Sequence, residues 1–564
     1  MKRGILALLV IMLASAASRA QLLPVDRNWV EQTLHGMTLD EKIGQLFMPV
    51  HTTVEQTEGW VQHYHIGGIW FARTEARKIA EELNVLQTRS KYPLLVSVDF
   101  EKGAGTYVDG GTDLPINMAL GATRDPRLVY EAAALTAVEA RALGVHINFA
   151  PVMDVNNNPQ NPVINTRSYG EDPKLVAALA AAAIQGYQDN GLLATGKHFP
   201  GHGNTGVDSH TMLGVVTADQ KEFESTELFP YTKVFQTSRP AGIMSAHLWI
   251  RALDADTVPA TLSSNAMTNL LRKRLSFDGI IFTDAMVMGG ITTRYPFDVG
   301  TVKALQAGCD VILFPGDLEK GIQAVKHAVE RGELSEKRIE ESVRRILRAK
   351  TQVGLHKKRE VDIMRIGERV GTEQNYRAAK AVAAQCLTLT KNEGSLVPVP
   401  STKKVLVLTM SNKEGNSMVS RGLVSFPDEV RKLSPAAADF RLSDAMTTSE
   451  VDQALALAKN ADLVVVAAYI KIVLNSGTVE LSTAHTAFVN RLVEANPNIV
   501  LISFGNPYIG SSVPDVPAYI CAYDNAKALQ ETAAEALFGK IPFHGRLPVT
   551  VTEKMRYGWG ITTE

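Results

Sequence analysis

The feature that most constrains the fold is a regular alternation of short apolar runs with amphipathic segments. Eight runs follow one another: IGQLFMPV, IGGIWFA, PLLVSVDF, VHINFAP, LLATGKHF, AGIMSAHL, GIIFTDAM and CDVILFP. Helical patterns lie between them, for example at 77–90, 127–143, 174–190 and 299–307. Repeated strand–helix units predict a parallel (β/α)8 barrel, and nearly continuous apolar strands are typical of a sheet covered on both faces.

The chain is too long for the barrel alone. With 564 residues it is expected to form two or three domains. We assign the barrel to 21–354 and a charged connector, GLHKKREVDIMRIGERVGTEQ, to a linker at 355–375. Beyond it, the runs LTLTK, KKVLVLTM, ADLVVVAAYI, NIVLISFGNP and AYICAYD alternate with helical patterns. This region, 376–564, predicts a second, smaller α/β domain.

The N-terminal segment MKRGILALLVIMLASAASRA has a basic start, an apolar run and small residues before Gln21. This three-part pattern predicts a cleavable signal peptide at 1–20. The apolar run Ile5–Leu13 is short for a membrane span. The predicted cleavage site has no Cys near it to which a lipid could be attached. We therefore expect a periplasmic or secreted protein without a stable membrane anchor.

Charge and cysteine content exclude two other classes of protein. The formal net charge is −1 and no basic run occurs, which argues against a nucleic-acid partner. The three cysteines, Cys309, Cys386 and Cys521, lie far apart in apolar surroundings. They predict buried free thiols rather than a disulfide scaffold. The sequence contains no indication of the oligomeric state.

Polar residues recur where the predicted strands end. In such a barrel, catalytic groups gather at the carboxyl ends of the strands. One polar residue there is readily explained by capping or hydrogen bonding, but a set from five strands indicates a shared site. The set comprises Asp99, Glu101, Asp154, Asn165, Arg167, Lys197, His198, His247 and Asp284.

The stretch KHFPGHGNTGVDSH, from Lys197 to His210, holds three of the 13 histidines. A metal site is disfavoured, because a Pro-Gly pair between His198 and His202 prevents the regular helix that would align them. A nucleotide-phosphate loop is also disfavoured, since it needs its Lys after the glycines, whereas Lys197 comes before them.

Asp208 and His210 are two residues apart, so that on an extended segment their side chains lie on one side. A carboxylate beside an imidazole fixes its tautomer and favours the protonated form, as general acid/base catalysis requires. A purely structural pair that ties down a loop remains an open alternative.

The run IIFTDAMVM places Asp284 at the end of a strand. A carboxylate in this position is often a helix cap or salt-bridge partner. Together with an opposing proton donor, it is also what a retaining glycosidase requires. One group attacks the sugar carbon and the other protonates the leaving oxygen.

These motifs resemble the bacterial β-N-acetylhexosaminidase branch of family 3 glycoside hydrolases. Further similar stretches are NFAPVMDVNNNP, NTRSYGEDP and INMALGATRD, and the resemblance covers 39–355 densely. The end of the chain, with ALFGKIPFHGRLPVTV, is similar to the α/β sandwich domain of two-domain members. The resemblance implies retaining hydrolysis of a β-linked N-acetylglucosamine, with a carbohydrate as partner and no cofactor or metal.

By motif position, the resemblance makes Asp284 the nucleophile, His210 the acid/base and Asp208 its orienting partner. It also implies a set of substrate-binding residues, the first four of which hold sugar hydroxyls in the family: Asp99, Arg167, Lys197, His198, His247 and Met288.

One segment departs from the family pattern. Relatives usually read Glu-Gly-Gly-Arg after the strand-end Asp, with another Arg close behind, whereas this chain reads DFEKGAGTYVDGG. Lys102 replaces a glycine, and Ala104 and Tyr107 occupy the arginine positions.

We expect an exported, exo-acting β-N-acetylglucosaminidase for peptidoglycan or chitin-type fragments. The alternatives are another β-hexosidase, an enzyme using phosphate instead of water, and a non-catalytic sugar-binding relative.

Overall fold

The computed structural model describes residues 22–412, 424–443, 445–471 and 480–563. The predicted signal peptide, 1–20, lies outside the described residues. Within the described ranges, no helix has both the length and the apolar character needed to cross a membrane. Cys309, Cys386 and Cys521 are buried free thiols, which confirms that prediction.

The first domain is a parallel barrel of eight strands. Neighbouring strands pair in chain order, and the last strand pairs with the first through Phe47↔Ile312 and Met48↔Leu313. A parallel bridge between Phe282 and Val311 joins the seventh strand to the eighth. The predicted fold class is therefore confirmed. The strands are Phe47–Met48 with Val50–His51, Gly68–Phe71, Leu95–Val98, Ile147–Asn148, Leu193–Phe199, Gly242–Ser245, Ile280–Phe282 and Ile312–Leu313.

Helices connect the strands. Two of them begin with Asp-Pro, in which the Asp side chain caps the first turn and the Pro suits the first helical position. The main barrel helices are Val54–Tyr64, Ala76–Arg89, Pro126–Ala142, Pro173–Gln188, Phe229–Thr237, Asn265–Arg274, Phe297–Ala307, Leu318–Glu330 and Glu336–Gln352. Shorter helices are Arg27–His35, Leu39–Gly44, Asn117–Thr123, Gln220–Ser225 and Gly289–Thr292.

Two small parallel strand pairs brace the loops at the carboxyl end of the barrel. Thr74–Glu75 pairs with Val108–Asp109, which holds the loop after the second strand to the loop after the third. Gly214–Val216 pairs with Leu248–Ile250, which joins the loops after the fifth and sixth strands. These pairs limit the freedom of the loops that carry most of the polar residues.

The second domain is built on a six-stranded mixed sheet. Five strands are parallel, and Thr388–Asn392 runs antiparallel to Ala518–Cys521 at one edge. In spatial order the strands are Thr388–Asn392, Ala518–Cys521, Ile499–Ser503, Leu463–Tyr469, Val405–Ser411 and Ala438–Arg441. The helices are Glu373–Cys386, Phe426–Leu433, Thr448–Ala458, Thr483–Ala495 and Lys527–Leu537.

Loops after the third and fourth barrel strands contact the second domain. Glu171 accepts hydrogen bonds from the backbone N–H and the hydroxyl of Thr550, each at 2.7 Å. Asn156 donates to the Tyr508 hydroxyl at 2.9 Å. Because these loops also carry predicted site residues, the second domain lies directly behind the wall of the barrel mouth.

Candidate active site

A cavity of about 310 Å³ opens at the carboxyl end of the barrel. The lining residues that belong to the described ranges come from the first domain. Seven of the nine predicted site residues line it: Asp99, Arg167, Lys197, His198, His210, Asp284 and Met288. The other two, Asp208 and His247, are buried behind this lining.

Asp284 follows the seventh strand and is held by its own backbone. The N–H of Ala285 donates to Asp284 Oδ1 at 2.7 Å. Burial by itself raises the pKa of Asp284, but the imidazoles of His198 and His247 and this N–H outweigh it and lower the pKa to about 2. The carboxylate is therefore ionised at every pH where the protein is expected to work, as a nucleophile requires.

Asp208 and His210 form a direct pair. His210 Nδ1 lies 2.7 Å from Asp208 Oδ1, and the backbone N–H of His210 donates to the same oxygen at 2.9 Å. Because an ionised carboxylate accepts hydrogen bonds but cannot donate them, Nδ1 carries the proton in this contact. Nε2 is therefore the ring nitrogen that can exchange a proton in the cavity. Asp208 is buried, whereas the His210 side chain is 27% exposed.

The loop with this pair is tied to the segment after Asp284. The N–H groups of Gly289 and Gly290 donate to the carbonyls of His210 and Ser209 at 2.9 and 3.0 Å. His202 Nε2 lies 2.8 Å from the Ser209 hydroxyl. The predicted nucleophile and the predicted acid/base therefore sit on two segments joined by backbone hydrogen bonds.

A buried network of charges surrounds Asp99. Lys197 Nζ lies 2.6 Å from Asp99 Oδ1 and 2.8 Å from Glu101 Oε1. Arg167 forms a two-pronged contact with Glu101 at 2.7 and 3.0 Å. Burial opposes ionisation, but Arg167 and Lys197 hold the pKa of Glu101 far below its usual range. The network fixes a carboxylate, an ammonium and a guanidinium at one side of the cavity.

His198 is oriented from behind by Asp154. His198 Nδ1 lies 2.7 Å from Asp154 Oδ2, and the backbone N–H groups of His198 and His202 donate to Asp154 Oδ1. Asp154 is completely buried. The sequence marked it as a polar strand-end residue but did not indicate this orienting contact.

His247 makes its own contacts below the lining. Its ring nitrogens lie 2.8 Å from the Thr261 hydroxyl and 3.1 Å from the Ala285 carbonyl oxygen. His247 is completely buried, so the structure places it behind Asp284 rather than at the cavity surface. Its position suits electrostatic support of Asp284.

Sequence reasoning missed an aromatic wall. The indole N–H of Trp70 donates to Asp99 Oδ2 at 2.8 Å. The ring centroids of Tyr107 and Phe314 lie 5.4 and 4.9 Å from that of Trp70, both edge-on. Trp70 lies within an apolar strand and Phe314 directly after one, so both look like core residues in the sequence. Tyr107 occupies one of the missing arginine positions, so an aromatic side chain replaces a charged one.

Lys102, the other unusual residue of this loop, does not line the cavity. Its Nζ lies 3.0 Å from Asp524 and 3.2 Å from Asp113. It is a contact to the second domain rather than a sugar-binding group. Among the residues the structure describes, no group of three or more His, Cys, Asp or Glu is arranged to hold a metal ion.

Comparisons with known proteins agree with this architecture. Residues 38–349 match the glycosyl hydrolase family 3 N-terminal domain, and residues 387–559 match the family 3 C-terminal domain. A beta-N-acetylglucosaminidase/beta-glucosidase of Cellulomonas fimi is 31% identical over 92% of this chain and 95% of its own length.

Two solved structures extend the likeness to nearly the whole chain. A family 3 beta-N-acetylglucosaminidase from Paenibacillus sp. str. FPU-7 has a TM-score of 0.85 and 33% identity, covering 92% of this chain and 99% of its own. The beta-glucoside phosphorylase BglX has a TM-score of 0.84 and 28% identity, covering 93% and 96%. The chain belongs to glycosyl hydrolase family 3 and is a two-domain glycoside hydrolase.

Proposed function

We propose that the protein is an exported, retaining β-N-acetylglucosaminidase that removes terminal β-linked N-acetylglucosamine from peptidoglycan or chitin-type fragments. The observation that carries the proposal is one cavity shared by an ionised Asp284 and the hydrogen-bonded Asp208–His210 pair. A carboxylate nucleophile and a proton donor are the two groups that double displacement requires.

In the first step, an oxygen of Asp284 attacks the anomeric carbon while His210, as imidazolium, gives its Nε2 proton to the departing oxygen. The C–O bond to the leaving group breaks and a glycosyl–aspartate ester forms. In the second step, His210 Nε2 takes a proton from water, the water oxygen attacks the anomeric carbon, and Asp284 leaves as a carboxylate. Two inversions at one carbon retain its configuration.

The charge network around Asp99 supports recognition of the sugar. Asp99 is an acceptor for sugar hydroxyls, while Lys197 and Arg167 are charged donors that line the same cavity. His198, held by Asp154, adds a further oriented ring nitrogen. Trp70 and Tyr107 supply apolar surface for the sugar ring and its substituents.

Transfer to phosphate is the second candidate function, because the group opposite Asp284 is an imidazole rather than a carboxylate. An imidazole repels an incoming anion less than a second carboxylate does, and Lys197 and Arg167 add positive charge. The relative named a beta-glucoside phosphorylase shares 28% identity over 93% of this chain. In this variant, phosphate oxygen would attack the glycosyl–aspartate in place of water.

The experiment that tests the proposal measures nitrophenol release from matched β-N-acetylglucosaminide and β-glucoside substrates, with and without phosphate. We expect release from the acetamido sugar by the wild type and none by Asp284→Ala. Retention is checked by following the anomeric proton of the first product by NMR. Comparable release by a folded Asp284→Ala variant contradicts the assigned nucleophile, and a sugar 1-phosphate product favours phosphorolysis.

Export is tested separately from catalysis. We propose that cleavage before Gln21 produces the mature protein, since 1–20 has the three-part pattern of a secretory signal. N-terminal sequencing of protein recovered from the periplasm or medium should begin at Gln21. Protein that keeps Met1 and stays in the cytoplasm contradicts this part of the proposal.

A further inference from the structure

A second cavity, of about 430 Å³, lies at the opposite end of the barrel. Arg141 and His146 in its wall precede the fourth strand, so that the cavity lies at the amino end, away from the catalytic cavity. The connector after the last barrel helix forms most of the rest of the wall, to which Leu23 of the N-terminal segment also contributes. We call it the basic cavity, and its cationic lining residues are Arg141, Lys357, Lys358, Arg359, Arg365 and Arg369.

Arg141 has only backbone partners. Its guanidinium donates to the carbonyl oxygens of Val145 and Val353 at 2.9 and 3.0 Å. In the part of the chain that the structure describes it forms no ion pair, and burial alone shifts its pKa. A guanidinium has five N–H donors, so these contacts leave donors that can serve a ligand in the cavity.

The other cations are also poorly neutralised. Lys357, Lys358 and Arg369 are exposed, and none of them forms an ion pair with a described residue. Arg359 donates to the carbonyl oxygen of Ser90 at 2.7 Å rather than to an acid. Arg365 is the exception, since it pairs with Glu368.

The acidic residues of the wall do not balance this charge. The carboxylate of Glu360 accepts a hydrogen bond from the Thr88 hydroxyl at 2.9 Å. The carboxylate of Asp362 caps the backbone N–H of Met364 at 3.1 Å. Among the described residues, the lining holds six cationic residues and only these two carboxylates, so the basic cavity has an excess of positive charge in a chain whose formal net charge is −1.

Burying this excess positive charge costs free energy, because the buried cations lose their contact with water. Burial lowers the pKa of Arg141 to about 10. Lys350, behind the same wall, has its pKa lowered to about 7 by burial and by the charge of Arg359. A bound anion would offset this cost, because it would supply the negative charge that the surrounding residues lack.

We propose that the basic cavity is a binding site for a multivalent, phosphate-type oxyanion. Guanidinium groups match the geometry of a phosphate, and exposed lysines add point charges at the entrance. The same chemistry is offered by a free phosphate or pyrophosphate and by the headgroup of an anionic lipid. Binding here is independent of the glycosidic reaction, since the cavity lies at the other end of the barrel.

The test compares pyrophosphate, phosphate and chloride at equal ionic strength by isothermal titration calorimetry on the full chain. We expect pyrophosphate to bind more tightly than phosphate, and chloride not at all. The variant Lys357→Met/Lys358→Met should bind pyrophosphate at least about tenfold more weakly while turning over an aryl glycoside at the wild-type rate. Lys221→Met/Lys337→Met, which removes the same charge elsewhere, should bind as the wild type does.

Arg141→Met tests the buried part of the site, and Arg141→Lys, which keeps the charge, should recover part of the binding. Sedimentation with phosphatidylglycerol vesicles, but not with phosphatidylcholine vesicles, and its reversal by pyrophosphate would identify a lipid headgroup as the source. Pyrophosphate binding without vesicle binding would identify a free anion. Wild-type protein that does not bind pyrophosphate, or both lysine double variants binding it equally, overturns the proposal.

Discussion

Lys102 and Asp524 form a buried ion pair, at 3.0 Å, between the barrel and the second domain. Lys102 is adjacent in the chain to Glu101, whose carboxylate holds both Arg167 and Lys197. No described residue of the second domain lines the candidate catalytic cavity, but through Lys102 the second domain contacts the loop that carries Glu101. We therefore propose that the second domain helps to hold the loop that positions Glu101, Arg167 and Lys197.

Lys102→Met should destabilise the protein and weaken substrate binding. The change leaves the buried carboxylate of Asp524 without its cation, a loss expected to cost about 3–5 kcal/mol. It also removes the cation from Asp113, whose side chain is 33% exposed. Displacement of the Glu101 loop should raise KM more than it lowers kcat. Urea unfolding and initial rates measure the two effects.

Lys320→Met is the matched control for Lys102→Met. Lys320 also pairs with an aspartate, Asp317, but both side chains are largely exposed. Its removal should change the free energy of unfolding by less than about 1 kcal/mol. Equal effects of the two substitutions would show that the buried pair has no special role.

Most of the residues predicted from the sequence lie in or after the carboxyl ends of barrel strands. The carboxyl ends of parallel barrel strands converge, so the proximity of Asp99, Lys197 and Asp284 could be predicted from the sequence. Trp70 could not be found in this way, because an aromatic residue at the end of an apolar run is indistinguishable from core. The contact between Lys102 and Asp524 could not be predicted from the sequence, since Asp524 lies 422 residues further along the chain.

Asp208→Asn should reduce kcat with little change in KM. The neutral amide replaces the carboxylate that accepts the hydrogen bond from His210 Nδ1. It therefore no longer fixes the Nδ1–H tautomer or stabilises the imidazolium charge. By analogy with another carboxylate–histidine pair, the loss is on the order of 10⁴-fold. The pH–rate profile should also shift. A variant with the wild-type profile would reduce the pair to a structural contact.

Gly289→Ala should impair catalysis through the position of His210. A Cβ at Gly289 would lie 2.2 Å from the carbonyl oxygen of Thr211, so the loop with His210 and the segment after Asp284 must shift relative to each other. We expect a clear loss of kcat with a folded protein, measured on the aryl glycoside. Gly206→Ala is the control in the same loop, because its nearest neighbour would be 3.9 Å away. Equal rates for both variants would contradict this reasoning.

Glu227→Gln should stabilise the protein at neutral and alkaline pH. Glu227 is 2% exposed and packs against Gly201, at the base of the loop that leads to His210. Burial raises the pKa of its carboxyl to about 7, and the amides of Asn157 and Asn204 offset only part of the shift. The folded protein therefore binds this proton more tightly than the unfolded chain, in which the pKa is 4.5.

The sign of this linkage sets the pH window for Glu227. Between pH 4.5 and about 7 the unfolded chain releases the proton first, so stability falls as the pH rises and the loss is complete above the folded pKa. The neutral amide removes this loss, so Glu227→Gln should gain about 1–3 kcal/mol at pH 8 and almost nothing at pH 4.5. Denaturant unfolding at the two pH values measures the difference. A gain that is the same at both would mean that packing, and not the proton, accounts for it.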